Sequence, residues 1–70
     1  MHDIEIRDDM IRLGQLLKLA GIAEDGAHAK DLLDAGEVAV NGEPEHRRGR
    51  QVHPGDHVTV GREEIRVTSR

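Results

Sequence analysis

The chain of 70 residues predicts an α+β fold in which two helices pack on one face of a small antiparallel sheet. Three observations carry that expectation. Leucines recur at helical spacing between residues 13 and 17, the apolar period changes from helix to strand after Gly36, and the strand-like stretches are punctuated by Asn41-Gly42, Pro54-Gly55 and Gly61-Arg62. Residues 1–70 read as a single domain, with no repeat, linker or low-complexity segment.

The elements follow one another with few spare residues. Ile4 and Ile6 alternate with Asp3, Glu5 and Arg7, the period-two pattern of a short edge strand. Leu13, Leu16, Leu17 and Ala20 stand at i, i+3, i+4 and i+7, which predicts a helix over 11–20 closed by Gly21. Asp25 has the chemistry of a helix N-cap, because its carboxylate can accept the unpaired amide hydrogens of a first turn. Ala29, Leu32 and Leu33 then supply the apolar face and Gly36 the stop, leaving Lys30, Asp31 and Asp34 outward. Val38 and Val40 begin a hairpin whose Asn41-Gly42 pair suits the positive φ angles of a type I′ turn. Pro44 cannot donate to a ladder, so the returning strand belongs at an edge. Pro54-Gly55 fits the centre of a type II turn, and Val58/Val60 and Ile65/Val67 complete two further strands.

Composition limits what such a domain can do. A chain of this size buries about 60% of its unfolded surface. With no cysteine, its core rests on leucine, isoleucine and valine rather than on a disulfide or thiolate-bound metal. The acidic start (Asp3, Glu5, Asp8, Asp9) is the opposite of a secretory signal, and no apolar run approaches a membrane span. A cytoplasmic location, no membrane association and a monomeric state are the expectations. Neither a cofactor nor catalysis is expected. The lone Ser69 stands near the end of the sequence, and no glycine-rich phosphate loop is present. His46, His53 and His57 fall in one region, but a Pro-Gly turn breaks the spacing that a helical zinc site would need.

The net charge of −4 conceals an asymmetry. Residues 1–45 carry four basic and eleven acidic side chains, whereas residues 46–70 carry six arginines against three acids, so the halves stand at −7 and +3. A phosphate responds to charge within about 8–10 Å, so the local cluster Arg47-Arg48-Gly49-Arg50 outweighs the total. On charge alone such a loop is more often a solvated surface than a site. Arginine can nevertheless engage two phosphate oxygens at once. The absence of Phe, Tyr and Trp removes base stacking, so any RNA recognition would rest on shape, phosphates and 2′-hydroxyls.

Several segments together resemble the S-four-type RNA-binding domain, the alpha-L motif named for a small-subunit ribosomal protein. They are Ile11-Arg12-Leu13-Gly14-Gln15-Leu16-Leu17, Gly21-Ile22, Ala29-Lys30-Asp31-Leu32-Leu33, Gly36-Glu37-Val38-Ala39-Val40-Asn41-Gly42 and Val52-His53-Pro54-Gly55-Asp56-His57-Val58. The resemblance covers residues 11–60 and is greatest to small stand-alone bacterial members. It implies an RNA-binding protein that docks on structured ribosomal or transfer RNA. Its contacts would come from Arg12 and Lys30 on the helices and from Arg47, Arg48 and Arg50 in the loop. Many members place Ser-Arg where this chain has Glu24-Asp25-Gly26, which shifts that phosphate contact towards Lys30, with His28 as an aid when protonated. Two other readings are open: a protein-interaction module docking through the acidic half, and a β-grasp sulfur carrier. The second is disfavoured because the sequence ends Thr68-Ser69-Arg70 rather than Gly-Gly.

Overall fold

A computed structural model describes residues 2–70 and shows an α+β domain. In chain order its elements are β1 (His2–Ile6), β2 (Ile11–Arg12), α1 (Leu13–Leu19), α2 (Gly26–Asp34), β3 (Val38–Val40), β4 (Glu43–Pro44), β5 (Gln51–Val52), β6 (His57–Val60) and β7 (Glu63–Ser69). Five strands form one sheet in the order β1-β7-β6-β3-β4, while β2 and β5 make a separate ribbon.

The sheet is mixed rather than wholly antiparallel. β3–β4 and β6–β7 are antiparallel hairpins and β6 returns antiparallel to β3 after the loop that carries β5, but β1 lies parallel to β7 with Ile4 opposite Val67. Parallel neighbours need a long crossover, and here nearly the whole domain supplies it. Pro44 is at the sheet edge, as its missing donor requires.

The first helix also begins later than its periodicity predicts. Ile11 and Arg12 are extended and pair with Val52 and Gln51. Arg12 offers no side-chain cap, so the first amides of α1 turn instead to the arginine loop: Leu13 N–H donates to the Arg50 carbonyl (2.9 Å) and Gly14 N–H to the Arg48 carbonyl (3.0 Å). The loop backbone thereby replaces a cap and is fixed against the helix. α2 starts as its sequence predicts, with Asp25 Oδ1 accepting from His28 N–H at 2.8 Å. At its end, Gly36 takes a φ of +74°, Gly36 N–H donates to the Leu33 carbonyl and Glu37 N–H to the Leu32 carbonyl, the paired bonds of a Schellman stop.

Leu13, Leu16 and Leu17 of α1 and Ala29 and Leu33 of α2 are fully buried over the inward valines and isoleucines of the sheet, including Val38, Val40, Val58, Ile65 and Val67. The alternation is that of a sheet covered on one face, with Glu64 and Arg66 on the other. Asn41 adopts a φ of +52° in its hairpin, as a type I′ turn demands. Its side chain does more than the turn requires: Nδ2 donates to Asp56 Oδ1 (3.1 Å) and Oδ1 accepts from His57 N–H (2.9 Å), tying this hairpin to the Pro54-Gly55 turn. Among the described residues no helix is long and apolar enough to cross a membrane, and no group of His, Cys, Asp or Glu is arranged to hold a metal.

Candidate nucleic-acid interface

The loop between β4 and β5 is organised by a carboxylate. Glu45 is buried, and its oxygens accept from Arg47 Nε and Nη2 (both 3.2 Å), from Arg50 Nη1 (2.8 Å), and from the His46 and Arg47 backbone N–H groups. Hydrogen bonds from Arg47, then Arg50, hold this carboxyl far below the usual range, so it stays ionised under all ordinary conditions. Arg47 and Arg50 therefore spend much of their charge inside the protein, although the Arg47 side chain is still 76% exposed. His46 adds a further tether through Nδ1–H to the Leu33 carbonyl at the end of α2 (3.0 Å).

Arg48 turns the other way. Its carbonyl is held by Gly14, and a methyl group placed on Gly14 would meet Arg48 Cβ at 3.5 Å, so the arginine stem lies along the start of α1. Its Nη1 would be 3.8 Å from a methyl on Gly26, so the guanidinium reaches the first residue of α2. Arg48 is exposed and, among the described residues, makes no ion pair. Beside it, Arg12 Nη1 donates a long 3.3 Å bond to the Gly49 carbonyl. A shallow groove of about 290 Å³ results, walled by Gly14, Gln15, Gly26 and Ala29 and carrying Arg12, Lys18 and Arg48. Three cations and no carboxylate line it. A second depression, about 700 Å³, lies across the loop crest at Gly49; Arg47, Arg50 and His53 share it with Asp56. Burial pushes the Asp56 carboxyl up, but bonds from His53 N–H and Asn41, with the charges of His53 and Arg50, bring it below its ordinary value.

The chain and its fold find matches among known proteins. Residues 4–68 fit the model of the S4 domain. The chain belongs to the S4 domain family. A Bacillus subtilis (strain 168) protein described as a probable ribosome maturation protein RlbA is 49% identical over 59 residues, a stretch spanning 84% of this chain and 83% of that one. The crystal structure of the 30S ribosomal protein S4e from Thermoplasma acidophilum shares the fold, with a TM-score of 0.65 at 22% identity. That match covers 86% of this S4 domain and 32% of the ribosomal protein.

Within this S4 domain the residues singled out from sequence separate into groups. Arg12 and Arg48 are brought together in the groove. Arg47 and Arg50 gather on Glu45 instead. Lys30 points outward, its Nζ held by Asp34 at 2.7 Å across one helical turn; that hydrogen bond raises its pKa, while Arg48 is near enough to oppose the rise. Lys18 and Gln15 complete the groove, and periodicity does place both on the exposed side of α1. Asp25 is engaged in its cap. The His28 ring is likewise engaged: Nδ1 accepts from Glu24 N–H at 3.0 Å, a role that a protonated ring could not keep.

Proposed function

We propose that this S4 domain binds structured RNA through the cationic groove between α1 and α2. Arg48 is the central contact, Arg12 and Lys18 flank it, and Lys30 stands at its margin. The observation that carries the reading is the lining itself, three cations without a carboxylate, on a protein whose net charge is −4. An anionic partner is drawn to that groove and repelled from most of the remaining surface, so the charge distribution orients docking as well as favouring it. Arg47 and Arg50 serve first as a scaffold that fixes the loop through Glu45. The exposed edge of Arg47 supplies an outer phosphate contact.

Ribosomal RNA is the proposed target, a reading supported by the description of the Bacillus relative as a ribosome maturation protein. The chain has no Phe, Tyr or Trp to serve as a platform for single-stranded bases, so folded or duplex RNA is the class of ligand its chemistry suits. Its role is non-catalytic: it binds and positions. Competition binding at near-physiological salt tests the mode, with a ribosomal hairpin expected to displace label that poly-U of equal length does not. Equal displacement by poly-U would overturn shape recognition. Crosslinking in cells with sequencing of the bound RNA tests the target, and a map without ribosomal RNA would overturn that assignment.

A further inference from the structure

The neighbouring face of α1 carries a second groove of opposite character. Gln15 forms a wall of both grooves, but beyond it Ile6, Met10, Ile11 and Leu19 line a depression of about 390 Å³ with Glu5 and Asp8 on its rim. Leu19 is 58% exposed and is the single large hydrophobic residue left open to solvent among the described residues. A contiguous apolar surface framed by charge is a feature of interaction sites where a single exposed residue is not, and Met10 and Ile11 line this depression together with Leu19. Here the frame is acidic. Asp3 is engaged by Arg66 at 3.3 Å, whereas Glu5, Asp8 and Asp9 make no ion pair among the described residues, and Arg7 is the one cation set against them.

We propose that this groove docks a basic protein segment that inserts one bulky apolar side chain against Leu19, Met10 and Ile11 while its lysines or arginines meet Glu5 and Asp8. Charge complementarity selects the occupant: the carboxylates repel RNA, and the apolar floor offers a simple cation nothing. The choice of a protein segment rests on the RNA-binding reading, since proteins that share an RNA particle carry basic segments that neutralise phosphate. A single helix would then present RNA on one side and a basic chain on the other.

The test uses the full chain and a short Lys/Arg peptide with one central leucine, beside the same peptide with serine in that position and an acidic counterpart. Anisotropy titration should give the leucine peptide roughly a tenfold tighter Kd than the serine peptide, the ratio expected for covering most of a leucine side chain. Leu19→Ser, an exposed change, should erase that ratio while leaving RNA affinity intact. Asp8→Lys with Glu5→Lys should weaken both basic peptides. Amide shifts in the leucine complex should centre on Met10, Ile11 and Leu19. Equal affinity for the leucine and serine peptides would overturn the proposal, as would shifts centred elsewhere. RNA shifting Leu19, or self-association abolished by Leu19→Ser, would overturn it by naming a different occupant. Loss of RNA binding in the unmodified protein, with peptide binding preserved, would overturn the RNA reading alone.

Discussion

Removing the three groove cations together isolates the electrostatic share of RNA binding. Each phosphate neutralised contributes a slope of about −0.7 to −0.9 in log affinity against log salt. Arg12, Lys18 and Arg48 as three contacts give a slope of about −2.1 to −2.7, so a fourfold rise in salt, from about 50 to 200 mM, should weaken binding roughly 20- to 40-fold. Arg12→Ala, Lys18→Ala and Arg48→Ala combined should flatten the slope by about two to three units. The fold should persist, since all three residues are exposed and the one side-chain bond lost is the 3.3 Å contact from Arg12 to Gly49. Filter binding across a salt series reads the slope and circular dichroism reads the fold. Arg47→Ala is the internal comparison: Arg47 shares the single charge of Glu45 with Arg50 whereas Arg48 has no ion partner among the described residues, so it should flatten the slope by less than Arg48→Ala does. A triple variant with unaltered slope would refute the assignment of the groove, and a larger effect from Arg47 than from Arg48 would move the site to the other side of the loop.

The other predictions concern the scaffold. Leu33→Ala should cost about 2–5 kcal/mol in chemical denaturation, because the side chain is fully buried. Lys30→Glu should leave the fold intact and weaken RNA binding by adding charge beside Asp34 and near Arg48; unchanged affinity in titration would remove α2 from the interface. Glu45 and Asp56 have folded pKa values below their ordinary 4.5 and 3.8, so their contribution to stability is complete above those values and is lost as pH falls beneath them through the folded values. Thermal melts should therefore show an acid limb starting near pH 4.5, shallower in Glu45→Gln; an identical limb in that variant would deny Glu45 its role.

Much of the domain was legible because its signals are local. Asp25 caps within three residues, Gly36 stops within one turn, and Asn41-Gly42 needs nothing beyond its own φ angles. The parallel pairing of β1 was not, since it joins residues about sixty positions apart and no short-range pattern encodes direction. The sidedness of the loop was equally hidden. Arg47, Arg48 and Arg50 are alike in sequence, and what separates them is a buried carboxylate upstream together with two backbone bonds to the start of α1. Glu45 stands two residues before the cluster, and an acid so close to three arginines was the available signal.

The distance along the chain between β1 and β7 has a kinetic meaning. Hairpins and helix pairs close short loops, whereas β1 must wait for β7, so the loop-closure entropy it pays is the largest in the sheet. By its chain separation β1 should join last, as a clasp on the rest of the sheet, and it sits at an edge with β7 as its one ladder partner. Native-state hydrogen exchange should release its amides at lower free energy than those of β6 and β3. Glu5 and Ile6 belong to that clasp, and none of the residues around Arg48 does. Loosening the first strand would dismantle the acidic face and leave the cationic one standing, giving the domain two surfaces of unequal permanence.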